Sequence, residues 1–70
     1  MTNTKLLREK IKASGLKMNY IAACMFITPK ALTMKINNES AFKAAEIAAL
    51  SKILEIETPE ERDHIFFNAK

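Results

Sequence analysis

Seventy residues hold one domain, and a single cysteine, Cys24, excludes an internal disulfide framework. Almost half the residues are apolar, yet no apolar run approaches the ~20 residues of a membrane span, and one Gly with no Trp leaves an all-α class. The net charge of +3 is unevenly spread: residues 1–54 carry nine Lys/Arg against three acids (+6) and residues 55–70 carry two against five (−3), which fits a polyanion on one face.

The first helix is expected at about residues 4–14, with Leu6, Leu7 and Ile11 as its apolar stripe and Lys5, Arg8, Lys10 and Lys12 facing outward. Its main expected role is to back the elements that follow. Arg8 and Lys12, four apart, are the pair that could also reach a phosphate. Gly15 falls just past the helix, where a left-handed residue is wanted.

A second helix, about 18–25, opens at Lys17 without a good capping side chain and turns Ile21, Ala22 and Met25 inward. Ala22 is small enough to let another helix cross closely. Lys17 and Asn19 stand at its N-terminus, where free N–H groups and the helix dipole favour an anion.

The third helix, about 29–36, has the strongest start signal in the chain. Thr28 supplies a hydroxyl acceptor, and Pro29 suits the first position, where no N–H is needed. Leu32 and Ile36, four apart, define the buried face, so Lys30, Thr33, Met34 and Asn37 share the opposite one. A short helix with a basic, hydrogen-bonding outer face is suited to a DNA major groove.

Residues 37–42 read as a loop that ends on Phe42, an apolar plug. A fourth helix follows at about 43–54, its stripe formed by Ala44, Ile47, Leu50 or Ser51, and Leu54. The fifth, about 59–67, opens on Thr58-Pro59-Glu60-Glu61, a capping box in which Glu61 is expected to reach back to the Thr58 N–H. Ile65, Phe66 and Phe67 cannot all face the core from one short helix. Ile65 and one Phe are expected inside, the other exposed or against a partner.

From Leu16 to Asn38 the chain resembles the helix-turn-helix of the phage Cro/repressor (XRE-like) family. The matching residues are Leu16, Ile21, Ala22, Met25, Ile27, Thr28, Leu32, Thr33, Lys35, Ile36 and Asn37. The likeness continues through Ser40, Phe42, Glu46, Ile47, Leu50 and Leu54, and so covers most of the chain. Lys17 stands where the family has a Thr or Ser cap. Phe26 stands where it often has Gly at the corner, a strained residue if left-handed, and Asn38 where Gly often follows the second motif helix.

The resemblance implies a compact, all-α, five-helix, lambda-repressor-like DNA-binding domain, with the helix-turn-helix in helices two and three. It implies a sequence-specific double-stranded DNA-binding transcriptional regulator, a Cro-like phage repressor acting at an operator. Thr28, Pro29, Lys30, Thr33 and Met34 are then the base readers, since lysine can donate to guanine and methionine can touch a thymine methyl. Lys17, Asn19, Lys35, Asn37, Asn38 and Lys43 would position the phosphate backbone. Ile65, Phe66 and Phe67 would serve association, with a homodimer formed in solution or only on DNA. A different class stays open: an antirepressor or antitoxin-like protein-interaction module with the same fold.

An enzyme is not expected. Cys24 and His64 are forty residues apart, with no Gly-rich phosphate loop and no metal-ligand spacing, so Cys24 reads as a half-buried filler and His64 as a surface residue. No cofactor, small-molecule substrate or membrane contact is expected. The charged N-terminal stretch lacks the apolar core of a signal peptide, which points to a cytoplasmic protein, in the host cytoplasm if a phage encodes it.

Overall fold

Five helices account for most of the chain, and short-range hydrogen bonds set where each begins and ends. The computed structural model describes residues 1–67: α1 (Thr4–Ser14), α2 (Met18–Cys24), α3 (Pro29–Ile36), α4 (Ala44–Ile53) and α5 (Pro59–Phe66), with no strand among the described residues. The expected boundaries differ only at ends. Met25, Lys43, Leu54 and Phe67, assigned to helices from the sequence, are the capping residues that flank them.

Helix starts follow the side-chain acceptors. Asn3 Oδ1 accepts the Leu6 N–H at 3.2 Å, Thr28 Oγ1 the Ala31 N–H at 3.1 Å, and Thr58 Oγ1 the Glu61 N–H at 3.1 Å. Lys17 and Lys43 cap α2 and α4 without a side-chain acceptor, but Glu46 Oε1 accepts the Lys43 N–H at 2.8 Å. The reciprocal bond expected at α5 does not form. The Glu61 carboxylate is drawn instead to Lys10 on α1, 2.8 Å away, which ties α5 to α1.

Four helix ends share one device, a left-handed residue just past the last turn. Gly15 (φ 72°), Phe26 (φ 60°), Asn38 (φ 65°) and Glu55 (φ 57°) occupy it. At Phe26, Asn38 and Glu55 both closing bonds are made: Phe26 N–H to Ala23 O and Ile27 N–H to Ala22 O, Asn38 to Lys35 and Glu39 to Met34, Glu55 to Lys52 and Ile56 to Ser51. At Gly15 a hydroxyl is inserted into the outer bond. Ser14 Oγ donates to Ile11 O at 2.6 Å and accepts the Leu16 N–H at 3.1 Å. Three of the four positions thus hold a residue with a side chain, at a steric cost that the caps offset.

Packing brings α1 onto α3 and α5, and α2 onto α3 and α4. Leu7, Ile21, Ala22, Leu32, Ile36 and Leu50 are sealed from solvent, and Ile11, Met25, Ile47, Leu54, Ile56, Ile65 and Phe66 complete the core. The radius of gyration, 10.8 Å, matches the ~11 Å of a folded chain this long. Two expectations need correction. Ala44 is exposed, because the buried face of α4 is set by Ile47, Leu50, Ser51 and Leu54. Cys24 is exposed too, on the side of α2 away from Ile21 and Ala22.

The tail divides as its crowding requires. Phe66 is 3 % exposed and meets the Phe42 ring edge-on, with centroids 5.4 Å apart and planes at 83°. Phe67 is 55 % exposed. Ile65 and Phe66 are therefore core, and of the three association candidates only Phe67 is open to a partner.

The N-terminal residues act as a clasp. Asn38 Oδ1 accepts the Thr2 N–H at 3.0 Å, and Asn38 Nδ2 donates to Thr2 O at 2.9 Å. Thr4 Oγ1 donates to Ile36 O at 2.6 Å, and the Asn3 N–H bonds Ile65 O at 2.6 Å. The end of α3, the start of α1 and the end of α5 are held together by these bonds.

Candidate nucleic-acid interface

The outward face of α3 is set by its inward one. With Leu32 and Ile36 sealed in the core, a turn of ~100° per residue places Lys30, Thr33, Met34 and Asn37 on the far side. Lys30, Thr33 and Asn37 are exposed, as are Thr28 and Pro29 at the helix start, whereas Met34 is half-buried. Of the expected readers, Lys30 alone presents a cation, and it makes no ion pair among the described residues.

Hydrogen bonds already made limit what several of these side chains can offer. The Thr28 hydroxyl accepts at the cap, and the Thr33 hydroxyl donates back to Pro29 O at 3.1 Å. Thr33 has therefore committed its only donor to its own helix and has acceptor capacity left.

Lys35 and Asn38, expected as phosphate contacts, already have partners within the fold. Lys35 Nζ lies 3.1 Å from Glu46 Oε1 and donates to Ala41 O at 2.9 Å, with only 12 % of its side chain exposed. Asn38 spends its amide on Thr2 and on Thr4 Oγ1, 3.3 Å away. Glu46 shows the balance at this cluster. Burial pushes its carboxyl pKa up, but the Lys43 N–H and the Lys35 ammonium outweigh burial and leave it below the ordinary value.

Lys17 and Asn19 remain exposed at the start of α2, and Lys43 is exposed at the start of α4. Asn37 is exposed at the end of α3, and its Oδ1 accepts from Arg8 Nη2 of α1 at 2.6 Å. That bond spans 29 residues of sequence and had no local signal. The structure thus leaves Thr28, Pro29, Lys30, Thr33 and Asn37 open along α3, flanked by Lys17 and Asn19, with Lys43 one loop away.

Elsewhere on the surface, Phe26 is 94 % exposed at the left-handed corner between α2 and α3. Cys24 follows Tyr20 by one turn on α2, and its nearness raises the tyrosine pKa above the ordinary value. No group of three His, Cys, Asp or Glu side chains that could hold a metal occurs among the described residues. No helix among them is long and apolar enough to cross a membrane. Compared with protein-family models, curated proteins and solved structures, the chain matches none.

Proposed function

We propose that this chain is a sequence-specific double-stranded DNA-binding regulator, a cytoplasmic Cro-like repressor without catalytic activity, in which α2 and α3 form the helix-turn-helix. The observation that carries the reading is α3 itself. It is capped by Thr28 and Pro29, anchored through Leu32 and Ile36, and turns an unpaired Lys30 outward. The left-handed corner at Phe26 supports the same reading, because the family the sequence resembles often places Gly there.

In this mechanism α3 lies in the major groove, with Lys30 donating to guanine O6 and N7 and Thr28, Pro29 and Thr33 reading shape, methyls and donors. Lys17, Asn19, Asn37 and Lys43 hold the phosphates and set the register. The protein occludes a promoter and regulates by occupancy. Phe67, exposed beside the acidic C-terminal helix, is the residue through which two copies would meet.

The test is selection of a binding site from a random duplex pool, followed by titration of the selected and a scrambled site. Lys30→Ala should cost the selected site roughly 1–3 kcal/mol and leave the scrambled site nearly unchanged. Equal losses on both would reduce Lys30 to a phosphate anchor. The exposed Phe26 and Phe67 favour a second reading, a protein-interaction module of antirepressor or antitoxin type. Duplex binding without a steep dependence on salt would select it.

A further inference from the structure

Arg8 was expected to sit on a scaffold helix and, with Lys12, to be a residue that could also reach a phosphate; the fold holds its side chain without neutralising it. Its Nη2 donates to Asn37 Oδ1 at 2.6 Å, at the end of α3. One amide oxygen satisfies one of the five guanidinium N–H groups, and no carboxylate pairs with Arg8 among the described residues. The contrast with two lysines is direct. Lys10 and Lys35 are held by Glu61 and Glu46 at 2.8 and 3.1 Å, and their charge is spent there.

We propose that Arg8, tethered by Asn37, is a preorganised clamp for a DNA backbone phosphate on the α1 side of α3. The proposal rests on the DNA-binding reading above. A neutral tether orders the guanidinium before binding and leaves its full charge and fork of donors for a phosphodiester, whose oxygens match that fork. The neighbours add to it. At 100° per residue Lys5, Arg8 and Lys12 fall within roughly 60° of one another on α1, and all three are exposed. At 1.5 Å per residue this cationic ridge is about 10 Å long. It runs beside the end of α3, where Asn37 already belongs to the phosphate-positioning set. The competing role for Arg8, complementing the negative end of the α3 dipole, needs no ligand at all.

Fluorescence anisotropy of the full chain on a labelled random-sequence duplex, between 50 and 200 mM salt, separates the two. Each neutralised phosphate contributes about −0.9 to the slope of log K against log salt. Arg8→Ala should flatten the slope by about that amount, so that its deficit against the unaltered protein shrinks roughly 3.5-fold across this range. Arg8→Lys should keep the slope and bind more weakly, since it keeps the charge and loses the fork. Asn37→Ala should also keep the slope while weakening binding severalfold, and should weaken it less where Arg8 is already alanine; an equal loss in both backgrounds would overturn the tether given to Asn37. An unchanged slope in Arg8→Ala, with a lowered melting temperature, would overturn the clamp and assign Arg8 to the helix dipole. If the unaltered protein shows no salt slope, the DNA-binding reading itself falls, and the clamp with it.

Discussion

Replacing Phe26 by glycine should stabilise the protein, although it removes the bulkiest side chain of the α2–α3 corner. The backbone there is left-handed, with φ 60°, and the ring is 94 % exposed. A left-handed conformation costs an L-residue about 1–2 kcal/mol, which glycine does not incur. Glycine loses about 0.5–1 kcal/mol more backbone entropy on folding, and loss of an exposed ring is worth within about 0.5 kcal/mol. The two bonds that close the corner, Phe26 N–H to Ala23 O at 3.1 Å and Ile27 N–H to Ala22 O at 3.0 Å, are backbone bonds and survive the change. The balance is a gain of roughly 0.5–1 kcal/mol, or about 2–8 °C in melting temperature for a domain this small. Thermal unfolding followed by far-UV circular dichroism measures it, with Phe26→Ala as the reference that removes the ring but keeps the left-handed cost. A melting temperature for Phe26→Gly at or below that of Phe26→Ala would refute the reasoning.

Two further outcomes follow from burial and charge. Phe66→Ala removes a ring that is 3 % exposed and stacked edge-on against Phe42, and should cost about 3–5 kcal/mol of a total stability near 3.5–10 kcal/mol. Phe67→Ala should cost only about 0.5 kcal/mol and, if Phe67 joins two copies, should abolish any concentration-dependent mass in sedimentation. For Glu46, burial raises the carboxyl pKa, but the Lys43 N–H and Lys35 outweigh burial and lower it. A lowered folded value means that this stabilisation is present above the unfolded carboxylate pKa of about 4.3 and is lost as pH falls through the folded value. Chemical denaturation should therefore show stability dropping on acidification below about pH 4, and the drop should be smaller in Glu46→Gln; parallel profiles would mean that the cluster contributes nothing.

Where the determinant is local, the sequence could be read directly. Thr28-Pro29 and Thr58-Pro59 open α3 and α5, Gly15 closes α1, and the four-residue spacing of Leu32 and Ile36 set the inner face of α3. The left-handed Asn38 was legible for the same reason, since few residues other than Gly accept that conformation readily. Glu55 was not, because nothing in its side chain favours φ 57°. Its conformation follows from Ile56, which is buried and whose N–H bonds Ser51 O at 2.8 Å. Crowding at Ile65-Phe66-Phe67 announced that one ring must stay outside, but which one depended on Phe42, 24 residues upstream. The same divide runs through the candidate interface. Lys30 could be placed from the periodicity of one helix, whereas the partners of Lys35, Asn38 and Arg8 come from other elements and carry no local trace.

The fate of Lys35 bears on how any mutational survey of this surface must be read. The resemblance makes it an expected phosphate contact, and its place on α3 accords with that expectation. Yet its ammonium joins Glu46 and Ala41 O, and Glu46 in turn accepts the Lys43 N–H that begins α4. One lysine therefore fixes the loop between α3 and α4 at both ends. Truncating it would leave Glu46 largely enclosed without its cation and the Ala41 carbonyl without its donor, a loss felt first in the stability of the loop. Weaker DNA binding by such a variant would not identify a phosphate contact, because a displaced α3–α4 loop would also move Lys43. The cations whose loss can be read as a lost contact are those whose charge the fold leaves unpaired. Among the described residues near α3 these include Lys5, Arg8, Lys12, Lys17, Lys30 and Lys43.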